Sequence, residues 1–406
     1  MLAKIKYILN LQNILLYIGI ASGGMALPTF MSTIIGIDSW LVLVMFFCVF
    51  VVLHYRKKSR ISNSYISYIT ILFVALCFVV LSSGLTMGTS LSCVILLLSV
   101  YAAYIVNPKY LYQRYLNIVF VISMFSLLFF IPQFIGGIDI YKPFFSYLFP
   151  SYSSGEIYSY GGFIYRFVFL HESRNCGPFG EPGQYQCILC VAIYLSLFMK
   201  NTGLSEKRRM LFSLVFIATL ITTQSTSGYI ALGAIVLAFV FSKRKFSTKY
   251  QKYFLLSIAF MMLVFVLSGM WESFIRATIT DKLMGDANRL SLSESSGGAR
   301  TQSIEGVINL MIKDPVVLWG IGYDELADKG IEGCSGLLAI LLAIGIVPFS
   351  ILWGYPIAKK LCYNSGFIDI FLSFFIVVNM GLGQPHILNT SLFFMLFYGW
   401  FNKEKL

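Results

Sequence analysis

Long apolar runs separated by short polar breaks occupy most of this chain. A helix rises 1.5 Å per residue, so about 20 apolar residues cross a ~30 Å hydrocarbon layer. Runs of that order fall at 12–29, 38–54, 65–83, 90–106, 116–135, 184–200, 210–225, 227–242, 253–271, 334–356, 367–383 and 388–401. They predict an all-α, polytopic integral membrane protein with about 12 transmembrane helices in a single membrane domain, 1–406. The runs are continuous rather than alternating, which argues against a membrane β-barrel. The seventh and eighth share one apolar stretch, 210–241, divided by Thr222-Thr223-Gln224-Ser225-Thr226-Ser227-Gly228. Basic pairs flank that stretch at Arg208/Arg209 and Lys243/Arg244. One long helix would put a pair on each side of the membrane, whereas a helical hairpin keeps both inside.

Composition agrees with that class. The chain is 58% hydrophobic and only 12% charged, with a mean hydropathy of +0.79. Its net charge of +12 is read as topology rather than as a nucleic-acid footprint, because Lys and Arg collect in cytoplasmic loops. With both termini inside, the inner loops take about 21 of the 30 basic residues, and only Glu206 and Glu404 among the acids. The N-terminus, with Lys4, Lys6 and then an apolar run from Ile14 to Ala26, imitates a signal peptide. More spans follow at once, so an uncleaved first helix is expected. The two long loops, 136–183 and 272–333, then both face outward, and every inner loop is short. Specific chemistry is expected on the outer face.

Four polar segments could carry it. The first is His171-Glu172-Ser173-Arg174-Asn175-Cys176-Gly177-Pro178-Phe179-Gly180-Glu181-Pro182-Gly183-Gln184-Tyr185. Its Gly and Pro content restricts its shape, and Pro182-Gly183 opens the sixth span, where helix N–H groups favour an anion. The second is Arg300, after Gly297-Gly298-Ala299. Ile304, Val307, Ile308, Met311 and Ile312 recur behind it at helical spacing, which places Arg300 at the start of a short loop helix. A cation opposes the dipole there, which an anionic ligand would explain. The third, Asp314-Pro315-Val316-Val317-Leu318-Trp319-Gly320-Ile321-Gly322, offers a tight turn or a close backbone approach. The fourth is the 222–228 run with Ser225. Beside these, His386 follows Gly383-Gln384-Pro385 at the outer turn between the last two spans.

A solvated loop, a surface arginine, a plain turn and an idle histidine are the competing structural explanations. Of the eight cysteines, Cys187 and Cys190 spell CxxC, but inside an apolar helix without the strand or second ligand pair of a redox or zinc site. They are expected to be packing thiols. Cys176 and Cys334 lie in or near the outer loops and are expected to be unpaired. No metal is expected.

In order and spacing these segments resemble the O-antigen polymerase (Wzy) and O-antigen ligase superfamily of bacterial envelope enzymes. The likeness covers roughly 165–355. The family's Arg, Gly-x-Phe and acidic-Pro pattern is matched by Arg174, Gly177, Phe179, Glu181 and Pro182. Its polar run between the next two spans is matched by 223–228, with Thr226 where arginine is common. Its large-loop Arg, helix, Pro and Gly-x-Gly are matched by Arg300, Pro315, Gly320 and Gly322. One departure stands out. Ligases carry a histidine where the large loop re-enters the membrane, and this chain has Glu332-Gly333-Cys334-Ser335-Gly336. That favours a polymerase.

The resemblance implies a multi-pass protein of the bacterial cytoplasmic (inner) membrane. It would join undecaprenyl-diphosphate-linked repeat units, as donor and acceptor, into O antigen or capsule, without a cofactor. A chain-length regulator and a flippase would be its partners. Arg174 and Arg300 would stabilise the diphosphate leaving group, and Glu181 or Glu172 would serve as base. His171, Gly177, Tyr185, Ser225, Gly320, Gly322 and His386 would line the substrate site. The alternatives are the ligase of the same superfamily, a lipid-linked oligosaccharide flippase, and a membrane-assembly protein without catalysis. A flippase predicts short loops on both sides and charge within the spans.

Overall fold

The computed structural model describes residues 11–21, 61–105, 110–141, 152–154, 157–161, 164–199, 202–241, 248–267, 306–312, 318–329, 336–362 and 366–383. The predicted second and last spans, most of the loop at 272–333, Arg300, Cys334 and His386 lie outside these residues.

The described chain is mostly helical, and its helices follow the apolar runs closely. They are α1 (Leu11–Ala21), α2 (Asn63–Ser82), α3 (Met87–Ile105), α4 (Leu111–Gly136), α5 (Pro182–Phe198), α6 (Glu206–Thr222), α7 (Thr226–Phe241) and α8 (Thr248–Leu267). After them come α9 (Tyr323–Asp328), α10 (Gly336–Ile344), α11 (Ile346–Phe349), α12 (Tyr355–Cys362) and α13 (Phe367–Gly383). Local chemistry fixes several starts. The Ser62 hydroxyl accepts from Tyr65 N at the start of α2, and Ser205 does the same for Arg208 N at α6. Pro182 opens α5, where its missing N–H costs nothing.

Helix α5 is the hub. Every residue from Pro182 to Phe198 is buried, and α4, α6, α7 and α13 pack around it. A helix apolar on all sides has to be enclosed in this way. Apart from Gln184, its polar side chains find partners within the bundle. Ser196 Oγ lies 2.6 Å from Ser213 Oγ of α6. Arg209 Nε and Nη2 donate to Ser196 O and Leu197 O at 2.7 and 3.1 Å, which closes the C-terminal end of α5. Cys187 and Cys190 are buried free thiols, as expected of packing residues.

The flanking helices differ. Among the described residues, α2 and α4 are the helices both long and apolar enough to cross a membrane, by length and composition, and α3, α5, α7 and α13 contain shorter apolar stretches. One side of α2 is buried through Tyr68, Leu72 and Val79, while Ile71, Phe73 and Leu81 are exposed. Leu128, Ile131 and Ile135 form a similar exposed apolar set on α4.

Three features depart from expectation. The segment 136–183 is not all irregular. It contains an antiparallel sheet of β1 (Tyr152–Ser154), β2 (Ile157–Gly161) and β3 (Arg166–Val168), in the order β1-β2-β3. Ser159 pairs with both Tyr152 and Val168. Tyr, Ser and Phe suit strands, but these strands are too short for alternation to show in the sequence. Second, the apolar run 334–356 is not one straight helix. It breaks at Gly345, which has φ +81°, and resumes through α11, a π-helical turn at Ser350–Gly354 and α12. Third, cations are buried in the helical bundle. Lys360 at the end of α12 contacts Tyr194 OH at 3.2 Å and Ser373 Oγ, and Arg114 donates to Asn13 Oδ1 at 3.1 Å. With Arg209 they lie near helix ends, where basic residues were expected in exposed inner loops.

Candidate functional site

The first polar segment closes over the end of the bundle at which α5 begins. The chain reaches it from β3 through a 3-10 turn at Phe169–His171, and the segment enters α5 at Pro182. The α6–α7 turn reaches the same place. There Gln224 adopts φ +49°, a left-handed conformation unusual for a side-chain-bearing residue. That turn directs its last carbonyls toward Arg174.

Arg174 Nε donates to Thr223 O at 3.2 Å, and Nη2 donates to Gln224 O at 3.1 Å. In return, Gln224 Nε2 donates to Ser173 O at 3.1 Å. Asn175 completes the seam: its N–H donates to Thr222 O at 2.9 Å and its Nδ2 to Thr222 Oγ1 at 2.9 Å. The guanidinium is therefore fixed in orientation by backbone oxygens at the negative end of α6. A guanidinium has five N–H bonds in a rigid fork. Among the described residues, Arg174 directs only two of them to protein acceptors. Burial pulls its pKa below the ordinary value, while Cys176, Tyr229 and Glu181 nearby pull it back up. It stays cationic in any case.

Glu181 stands beside this arginine as the residue preceding α5. Its backbone oxygen accepts from Gln184 N at 3.1 Å, and its side chain makes no capping bond to the helix. The carboxylate is exposed. Glu181 acts on Arg174 through space without an ion pair between them, and both lie near the N-terminus of α5.

The other sequence-derived candidates hold different places. Glu172 Oε1 accepts from Ile138 N at 2.9 Å, so this carboxylate is engaged in closing the end of α4. His171 O accepts from Arg174 N at 2.9 Å, which shapes the loop. Tyr185, expected to meet substrate, is instead buried, with its hydroxyl 2.9 Å from Ser126 Oγ. Gly177 has φ +55°, and a Cβ there would sit 2.6 Å from Tyr185 Cε1. These two form one packing unit beneath the loop. Ser225 is also buried, 3.2 Å from Ser227 Oγ.

Gly320 and Gly322 pack the other described loop segment onto the bundle. Ile321 N donates to Leu342 O at 2.9 Å, and Gly322 N to Ala343 O at 3.0 Å. A side chain at Gly320 would strike the backbone of Ala343 and Gly345. Next to it, Asp324 Oδ2 accepts from Thr89 N at 3.0 Å and Thr89 Oγ1 at 3.3 Å. It caps the first turn of α3 from a distant point in the sequence. The Thr86 hydroxyl, joined by Thr89 and the Gly88 backbone, holds this carboxyl below the usual range against the opposing effect of burial. The close backbone approach that Gly320 and Gly322 permit is what the structure shows; the substrate role that the resemblance implied for them has no contact here to support it.

Three contributors escaped the sequence reading. Arg166 on β3 is buried, and its backbone N–H donates to Gly177 O at 2.7 Å, which ties the strand to the loop. The Cys176 thiol is pushed up to about 12 by burial, so it stays protonated. Asn175 and Asp324 were passed over because their partners, Thr222 and Thr89, lie in other helices. No family model matches the chain, and no curated protein or solved structure does either.

Proposed function

We propose that this chain is an O-antigen or capsule repeat-unit polymerase of the bacterial inner membrane, with about 12 spans and its candidate site on the outer face. The observation that carries the reading is Arg174: two N–H groups held by Thr223 O and Gln224 O, the rest of the fork unengaged among the described residues, and the Glu181 carboxylate near enough to act on its charge. The exposed apolar sides of α2 and α4 support a lipid environment, since water-facing patches of that kind are uncommon. The basic-inside charge pattern supports the orientation.

In this reading the diphosphate of one lipid-linked glycan lies against Arg174. The glycosidic C–O bond to the diphosphate breaks, and negative charge grows on the departing phosphate oxygen. An orientated guanidinium stabilises that charge by a few kcal/mol without reorganising. A hydroxyl of the second repeat unit forms the new C–O bond and loses its proton to Glu181. Arg300 remains proposed as a second phosphate contact. The missing re-entry histidine still disfavours the ligase.

Deleting the gene in its host and resolving the surface polysaccharide on a gel tests this. A single repeat unit on its normal acceptor, with the ladder gone, supports a polymerase. Loss of all glycan from the acceptor, with long chains kept on the lipid carrier, means ligase.

A further inference from the structure

Gln184 sits in the first turn of α5, one turn from Glu181, and is 4% exposed. Its side-chain oxygen is buried and receives no hydrogen bond. The residues after it are all provided for. Tyr185 OH meets Ser126, Gln186 Nε2 donates to Ser227 Oγ at 3.1 Å, and Cys187 Sγ donates to Gly183 O at 3.3 Å. Gln186 Oε1 also accepts, from Cys190 Sγ at 3.5 Å. Two glutamines on one enclosed helix are thus treated differently, and the one nearer the candidate site is left wanting a donor.

Such a group is costly to bury, and a shape-matched apolar side chain would remove the cost. A second buried oxygen without a partner, Thr226 Oγ1, lies at the start of α7 beside the same α6–α7 turn. The same end therefore combines unengaged arginine N–H groups with buried oxygens lacking donors. A phosphate alone could satisfy only the arginine, whereas a ligand that also carries hydroxyls could satisfy both kinds of group. A hydroxyl can pair with either end of an amide, so the match does not depend on which way the Gln184 amide is turned. Among the described residues no side-chain hydrogen bond holds that amide, so swinging it toward a ligand breaks none of the bonds seen there.

We infer that Gln184 is a binding residue for a sugar hydroxyl of the repeat unit. This rests on the polymerase reading and adds a recognition contact to it. Substrate binding gives the buried carbonyl the donor that the unliganded protein lacks.

The test compares the full-length wild type and Gln184→Met in the deletion host, and then as purified proteins given lipid-linked repeat unit. Gln184→Met is expected to melt at the same temperature as wild type or higher. It is also expected to lower kcat/KM for ladder extension about ten- to a hundredfold, mostly through KM. Gln184→Asn, which keeps the amide on a shorter arm, should recover part of the loss. A Gln184→Met ladder and kcat/KM equal to wild type would overturn the inference while leaving the polymerase reading intact. A lower melting temperature would also overturn it, by showing that the amide holds the fold. If the wild-type gene itself restores no ladder, the polymerase reading fails, and the inference with it.

Discussion

Two polar clusters in this protein are built from similar parts and end in different states. At the Asp324 cluster, a loop carboxylate meets Thr89 and the first turn of α3, and the backbone around Gly320 is bonded to α10. Even so, Tyr323 OH beside it and Thr86 Oγ1, for all its effect on the carboxyl, are buried without hydrogen-bond partners among the described residues. At the Arg174 cluster, the loop is tied just as firmly to the α6–α7 turn, yet most of the guanidinium fork, the Glu181 carboxylate and the Gln184 oxygen are unengaged. A polar cluster that serves only the fold tends toward full satisfaction, because each buried orphan costs stability. Both clusters carry buried orphans, so what marks the Arg174 cluster as the candidate ligand site is its oriented guanidinium, with N–H groups left over among the described residues, near an exposed carboxylate.

The sharpest way to break this contrast is to exchange the effects of the two clusters. Arg174→Ala should abolish the polymer ladder, a loss of about a hundredfold or more in turnover, while the protein stays in the membrane. A full ladder from this variant would remove the distinction.

Gly320→Val should act oppositely. It forces a β-branched residue to φ +83° against the Ala343 and Gly345 backbone, so folded protein in the membrane should fall steeply on an immunoblot.

Glu181→Gln is expected to reduce turnover more than binding of the lipid-linked donor, measured separately. Equal losses would give Glu181 a structural role.

The smallest effect belongs to Asp324→Ala, which removes one helix cap worth about 1 kcal/mol. It should shift melting by a few degrees and leave kcat intact. The wild-type carboxyl is held below its ordinary range. Its contribution is therefore complete above the ordinary carboxylate pKa of about 3.9 and is lost as pH falls through the lower folded value. Melting curves of wild type and Asp324→Ala should converge only in that acidic window.

Much of the helical layout was legible in the sequence because apolar length is a one-dimensional signal. The predicted run 65–83 became Asn63–Ser82, and the polar break at 222–228 did separate two helices. The break at Gly345 was hidden, because a glycine in an apolar run looks the same whether or not another loop backbone packs against it. In this chain it does: Gly320 approaches it closely. The sheet in the first long segment was missed because its strands are too short to show a period. At the candidate site, the sequence marked Arg174 and Glu181 but not what holds the arginine. Backbone carbonyls of Thr223 and Gln224 carry no residue signature, and their direction follows from the conformation of Gln224. Tyr185 and Gly177 stood out as motif neighbours, but only three dimensions show that one packs against the other.

The most direct test of the central claim is complementation of the deletion host with Arg174→Ala and Arg174→Lys, read on one polysaccharide gel beside an immunoblot of the membrane fraction. The account predicts normal protein, a single repeat unit on its acceptor with Arg174→Ala, and at best a faint ladder with Arg174→Lys, which keeps the charge but not the fork. A normal ladder from either variant would contradict it.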